Sequence, residues 1–113
     1  MDMDLVKCAK VLVDTIDILS RMQEDKGSEE RILIPSKKGR YLSVYPYNFK
    51  KVLKAVYPDL NEKKVLSTYR KIRWIITPGF EARNTNIVKV KGQSLRVITF
   101  STDTIATIRA LIE

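Results

Sequence analysis

The sequence predicts one small α+β domain, and three observations carry this prediction. Its 113 residues suffice for one domain with a modest core, because 44% of them are apolar. Four stretches repeat apolar residues at the three- and four-residue spacing of amphipathic helices, and short β-rich runs lie between them. Every glycine and proline falls at a break between such segments, where these residues interrupt regular structure.

The clearest predicted helix spans residues 4–24. Four leucine and isoleucine side chains share one apolar stripe of this helix: Leu5, Leu12, Ile16 and Leu19. Further valines and isoleucines widen the stripe, so we expect more than one side of the helix to meet apolar surface. Two interpretations stay open. The helix is either the first helix of the fold, or these four side chains dock onto a protein partner or a second copy of the chain.

The remaining elements follow from the same patterns and from turn residues. In chain order, they are a strand at 31–35, an ambiguous stretch at 36–45 (helix, strand or loop), helices at 46–56 and 62–72, a strand at 74–77, a polar loop at 80–85, a β-hairpin with strands 86–91 and 95–100, and a last helix from 102. Asn61 is the expected N-cap of the helix that follows it. The hairpin is expected to turn around Gly92 and Gln93.

Charge divides the chain into two regions. Residues 1–30 carry a net charge of −4, whereas residues 31–100 carry sixteen basic residues against three acidic ones, a net charge of +13. All nine aromatic residues also fall within 31–100. We therefore predict an acidic amphipathic helix at 1–26 and a basic domain at 31–113, with a polyanion such as nucleic acid as the partner of the basic domain.

Composition excludes several classes of chemistry. The chain has no histidine, so histidine-based triads and His-ligated zinc cannot form. The single cysteine, Cys8, allows no disulfide framework and is expected to be an inert, packed thiol. Three acids in the basic region are too few for a two-metal nuclease or polymerase site. We therefore expect no catalytic activity, no metal site and no cofactor.

The sequence also indicates where the protein resides. No apolar run approaches the roughly 18 residues that a membrane span requires. The start of the chain is acidic and lacks the basic segment of a signal peptide. We therefore expect a cytoplasmic protein without membrane contact.

The candidate nucleic-acid-binding residues are the polar side chains expected on the outer faces of two helices, a loop and the hairpin. They are Lys50, Lys51 and Lys54 on the first helix, Lys63, Lys64, Ser67, Thr68, Arg70 and Lys71 on the second, Arg83 and Asn84 in the loop, and Lys89, Lys91 and Arg96 on the hairpin. Two tyrosines, Tyr45 and Tyr47, are candidates for stacking on unpaired bases. Lysine predominates in the two helices, which favours phosphate contacts over base reading.

This order of elements resembles a winged helix-turn-helix domain, in which a β-hairpin forms the wing. The strand Ile32-Leu33-Ile34-Pro35, the helix at 49–56 and the segment 86–97 (NIVKVKGQSLRV) are similar to those of small winged-helix DNA-binding domains associated with primase, helicase and polymerase modules of phages and mobile genetic elements. The resemblance covers residues 31–100, although the extra helix between 46 and 73 departs from the minimal fold. It implies that the helix at 62–72 is the recognition helix.

The resemblance implies a non-catalytic accessory protein that binds DNA, including single strands, together with a replication enzyme such as a primase-polymerase or helicase. RNA is an alternative ligand. A winged-helix transcriptional regulator that binds duplex DNA as a homodimer is the second interpretation. The third is a small basic ribonuclease toxin, in which Tyr69, Arg70, Lys71 and Arg96 would act on RNA.

Overall fold

A computed structural model describes residues 4–36, 38–77 and 84–112, which form four helices and a five-stranded antiparallel sheet. In chain order the elements are α1 (Leu5–Lys26), β1 (Leu33–Pro35), β2 (Tyr41–Val44), α2 (Pro46–Val56), α3 (Glu62–Lys71), β3 (Ile75–Ile76), β4 (Asn86–Val90), β5 (Gln93–Ser101) and α4 (Thr102–Ile112). The α+β prediction is confirmed, and α1, α2 and α3 lie where the sequence predicts helices.

Helix α1 is the central helix of the hydrophobic core. It packs against both α2 and α4, which explains why its apolar stripe is wider than one contact requires. Leu12, Ile16 and Leu19 are only 0%, 3% and 0% exposed and belong to the same core as the sheet and the other helices. The prediction that these three side chains contact a partner is therefore wrong. Leu5, the fourth residue of that set, is 57% exposed.

The side chain of Gln23 joins the end of α1 to the start of β1. Its Oε1 accepts hydrogen bonds from the backbone N–H groups of Ile32 and Leu33, at 2.7 and 2.8 Å. Its Nε2 donates to the carbonyl oxygens of Gly27 and Glu30, at 2.8 and 2.9 Å. A single amide thus satisfies four backbone groups of an irregular connection.

The ambiguous stretch at 36–45 contains a strand. β2 pairs with β1, and the turn between them is held at Ser36, whose N–H donates to the Tyr41 carbonyl and whose Oγ accepts from the Tyr41 N–H. Gly39 has a φ of +70°, a backbone conformation that favours glycine. The pattern was ambiguous because β2 is short and its register depends on β1 and β5.

Helix α3 begins and ends with recognisable caps. The Asn61 side chain accepts a hydrogen bond from the Lys64 N–H at 3.1 Å, as predicted. At the other end, the Trp74 N–H donates to the Tyr69 carbonyl at 2.8 Å, and their rings lie 5.6 Å apart. This is a Schellman motif with its accompanying apolar contact. Its left-handed position holds Arg73, with a φ of +62°, where glycine is usual.

Strand β5 organises the sheet. Its first half pairs with β4 and its second half with β2 and β3. The turn between β4 and β5 consists of Lys91 and Gly92, with φ values of +52° and +80°, one position earlier than predicted. Both residues adopt positive φ because a two-residue turn must match the twist of the strands. The two strands overlap the predicted ranges 86–91 and 95–100, but β5 begins two residues earlier and ends one residue later than predicted.

Candidate nucleic-acid interface

The outward face of α2 is basic. Lys50, Lys51 and Lys54 are exposed, because Phe49 and its apolar neighbours occupy the opposite face of the helix in the core. Tyr47 precedes the lysines by one turn and is 73% exposed. The helix thus presents a tyrosine and three lysines on one side.

Helix α3 presents a second basic face. Lys63, Lys64 and Lys71 are exposed, and Ser67, Thr68 and Arg70 are half-buried between them. The Thr68 hydroxyl donates to the Lys64 carbonyl at 2.8 Å. That hydroxyl proton is therefore already used within the helix.

The cations of α2 and α3 are electrostatically uncompensated. Within 4–36, 38–77 and 84–112, the ion pairs join Lys26 to Glu30 and Arg109 to Asp17. None of them involves a lysine or arginine of these two helices. Glu62 in the first turn of α3 is the one acid of the two helices against seven cations. Such an excess of exposed cations produces a positive potential that attracts polyanions.

The hairpin adds a smaller basic group. Ile87 pairs with Arg96, and Lys89 pairs with Ser94, so all four side chains lie on the same exposed face. Arg96 donates to the Thr85 hydroxyl at 3.0 Å, which fixes its guanidinium near the base of the hairpin.

The other predicted residues of this region divide into described and undescribed positions. Lys91 lies in the exposed turn of the hairpin. Asn84 is half-buried, and its Oδ1 accepts no hydrogen bond from a described residue. Arg83 lies outside the described residues.

The tyrosines have different environments. Tyr45 is half-buried and directly precedes α2, and together with Tyr47 it lines a depression that Glu29 and Glu30 also line. Arg31 lines the same depression, so its charge is mixed. Because Tyr45 is half-buried and Tyr47 is 73% exposed, the stacking prediction is weaker for Tyr45.

Tyr57 is committed to the fold. Its hydroxyl donates to Asp14 of α1, and the Lys7 ammonium lies 4.7 Å from the centre of its ring. Burial, together with the hydrogen bond to Asp14, raises the pKa of Tyr57 to about 12. The protonated hydroxyl is thus retained where it joins α1 to the end of α2.

Tyr69 is also part of the core. It is 0% exposed, its hydroxyl donates to the Cys8 carbonyl at 3.2 Å, and burial raises its pKa well above the usual value. The hydroxyl therefore does not reach a substrate at the surface.

The acids of α1 are used in part within the molecule. Asp14 accepts the hydrogen bond from Tyr57, and Asp17 accepts two from the Arg109 guanidinium at 2.9 and 3.3 Å. These contacts attach α1 to the end of α2 and to α4. The acidic character of the first region is therefore partly structural.

Two basic residues near these faces were absent from the predicted site. Arg73 follows α3 directly and is exposed, and Arg31 precedes β1 and is exposed. Charge and position along the chain were the available signals for both. Their placement beside α3 and beside the sheet, respectively, depends on backbone geometry that no local pattern encodes.

No model of a protein family matches the chain, and no curated protein is similar to it in sequence. Among the described residues, no helix combines the length and the apolar character that crossing a membrane requires.

Proposed function

We propose that this chain is a non-catalytic, nucleic-acid-binding accessory protein with a winged helix-turn-helix architecture, and that its ligand is DNA. The order of elements supports this proposal: α2 and α3 are joined by a short turn, β3 follows α3, and the β4–β5 hairpin takes the position of a wing. In this assignment α3 is the recognition helix and α2 contacts the backbone beside it.

The observation that carries the proposal is the set of uncompensated cations on α2 and α3. Six of the seven cationic side chains on these outer faces are exposed, and none has an ionic partner among the described residues. An ordinary soluble surface intersperses charges of both signs. An excess of one sign on consecutive helices, seven cations against Glu62, is the pattern expected for phosphate binding.

A lysine-rich surface favours affinity for DNA phosphates over recognition of a particular base sequence. A lysine ammonium acts as a point charge on phosphate, whereas arginine reads guanine with two hydrogen bonds. Arg70 is the one arginine on the outer face of α3 and it is half-buried. We therefore propose binding with little sequence preference, as suits a protein that brings DNA to a replication enzyme such as a primase-polymerase or helicase of a mobile element.

Charge reversal on α3 tests this proposal. We expect Lys63→Glu/Lys64→Glu to weaken binding of labelled single-stranded and duplex DNA by at least about tenfold at low salt, with a shallower dependence of log Kd on log salt. Fluorescence anisotropy at several salt concentrations measures both. The matched control is Lys10→Glu/Arg21→Glu, which makes the same change in net charge at exposed positions of α1. Equal losses in both variants would contradict binding at α3.

One observation favours the transcriptional regulator as a second candidate. Leu5, Ile72 and Leu111 are 57%, 37% and 66% exposed and line one depression of about 400 Å³. Such a patch suits the contact between two copies of a dimer. A stable dimer that binds only duplex DNA, with a strong sequence preference, would favour this candidate. The ribonuclease toxin lacks comparable support, because Tyr69 lies in the core.

A further inference from the structure

The sheet has a second face, opposite the helices, that carries a mainly apolar groove. On one face, Val44, Ile98 and Phe100 point into the core with the helices. The alternate residues Ser43 and Thr99 line a groove of about 770 Å³ on the opposite face. Residues of β4 line the same groove, so the β4–β5 hairpin forms one wall and the β1–β2 hairpin forms the other.

The floor of this groove offers no free hydrogen-bonding group from its two hydroxyls. Ser43 Oγ and Thr99 Oγ1 lie 2.9 Å apart and satisfy each other. The walls are mainly aliphatic, with the following apolar side chains: Ile34, Tyr41, Ile76, Val88 and Val90. An occupant that fits here must bring apolar groups to the floor.

The rim of the groove has the opposite character. Two cationic side chains lie there, Arg31 before β1 and Lys91 in the turn of the hairpin, whereas the side chain of Lys89 lies on the opposite face of β4 from Val88 and Val90. No aspartate or glutamate lines it among the described residues. The occupant should therefore carry negative charge next to its apolar groups.

We propose that this groove binds an acidic, apolar peptide segment of a partner protein. Aliphatic and aromatic side chains of the segment fill the space between the two hairpins, and its carboxylates meet Arg31 and Lys91. The segment is extended and lies across the sheet.

The groove fits a peptide better than a single-stranded nucleic acid. Base stacking requires aromatic or guanidinium planes, and among the described lining residues only Tyr41 and Arg31 carry one. The other walls are branched aliphatic side chains, which pack well against leucine, isoleucine or phenylalanine. This site is therefore distinct from the basic faces of α2 and α3, and it stands whether or not those faces bind DNA.

Fluorescence polarisation with a labelled peptide, Glu-Leu-Glu-Phe-Glu-Leu-Glu, tests the proposal. We expect binding that is lost when lysine replaces every glutamate, and lost when serine replaces every leucine and phenylalanine. Arg31→Glu should raise the Kd by about tenfold or more, whereas Lys38→Glu, a reversal on the same hairpin outside the groove, should change it little. Methyl chemical shifts of Ile34, Val88 and Val90 should move as the peptide is added.

The groove itself is tested at Tyr41, which is 45% exposed and thus replaceable without opening the core. Tyr41→Asp should weaken peptide binding, Tyr41→Phe should preserve it, and Tyr47→Asp on α2 should leave it unchanged. Equal binding of the glutamate and lysine peptides, or equal effects of Arg31→Glu and Lys38→Glu, would overturn the proposal. Displacement of the peptide by oligo-dT from a groove that Tyr41→Asp disables would instead assign the groove to nucleic acid.

Failure of this proposal is separable from failure of the proposed function. Lys63→Glu/Lys64→Glu should leave peptide binding intact, because neither lysine lines the groove. Conversely, Tyr41→Asp should leave DNA binding at α3 intact.

Discussion

The outer faces of α2 and α3 and the groove on the second face of the sheet both carry exposed cations. They differ in whether packed core or a groove lies next to those cations. Under the lysines of α2 and α3, the core is filled by side chains such as Phe49 and Leu66, which are 0% and 3% exposed. Under the cations of the sheet face there is a groove of about 770 Å³. The first surface offers cations and the exposed ring of Tyr47, which suits phosphates and bases, whereas the groove can bury apolar groups.

This difference shows that net charge alone does not identify a partner. Cations of residues 31–100 occur on both surfaces, although a single polyanion-binding surface was the prediction. Lys91 lines the groove and also belongs to the hairpin of the predicted DNA site. The two proposals differ because a groove lies next to the cations of the sheet, whereas packed core lies under those of α2 and α3.

The largest expected effect is a loss of stability of the whole domain, which affects both surfaces. Leu12→Ala should lower the free energy of unfolding by about 2 to 5 kcal/mol, because it leaves a cavity where α1 meets the common core. Leu5→Ala removes the same atoms at a 57% exposed position and should change stability by less than about 0.5 kcal/mol. Urea unfolding followed by circular dichroism compares the two variants. Similar, small effects would mean that α1 is not part of the core.

A smaller effect should fall mainly on the groove. Gln23→Ala deletes the amide that satisfies four backbone groups between α1 and β1, and should cost about 2 kcal/mol. The amides of Ile32 and Leu33 should exchange with deuterium faster, while those of α3 keep their protection. Peptide binding in the groove should weaken more than DNA binding, because β1 forms part of the groove wall.

Two further variants test whether the loss of stability in Gln23→Ala comes from its four hydrogen bonds. Glu24→Ala, at the exposed neighbouring position, should have no such effect. Gln23→Glu keeps the acceptor for Ile32 and Leu33 but loses both donors, so it should fall between the wild type and Gln23→Ala. Unchanged exchange of these two amides in Gln23→Ala would contradict the assigned role.

Local patterns predicted the helices and failed where distant segments meet. Asn61 could be recognised as a cap because a cap acts within three residues of its own helix. The strand β2 could not be predicted in this way, because its register depends on β5, more than fifty residues away in the sequence. The groove has the same origin, since Ser43 and Thr99 are ordinary polar residues until pairing places them on one face. For α1, core packing and partner docking both stayed open, because periodicity identifies an apolar face without identifying what covers it.

The last variant, Arg73→Gly at the end of α3, should raise stability and weaken DNA binding. Arg73 adopts a φ of +62° at the end of α3, where glycine is free of steric cost. Arg73→Gly should therefore raise the free energy of unfolding by about 1 kcal/mol. If Arg73 contacts phosphate beside α3, the same change should weaken DNA binding and lower the salt slope by about one ion. Arg73→Lys keeps both the charge and the strained backbone, so it should preserve binding without the gain in stability. A stabilised Arg73→Gly that binds DNA as tightly as the wild type would limit the interface to α2, the body of α3 and the hairpin.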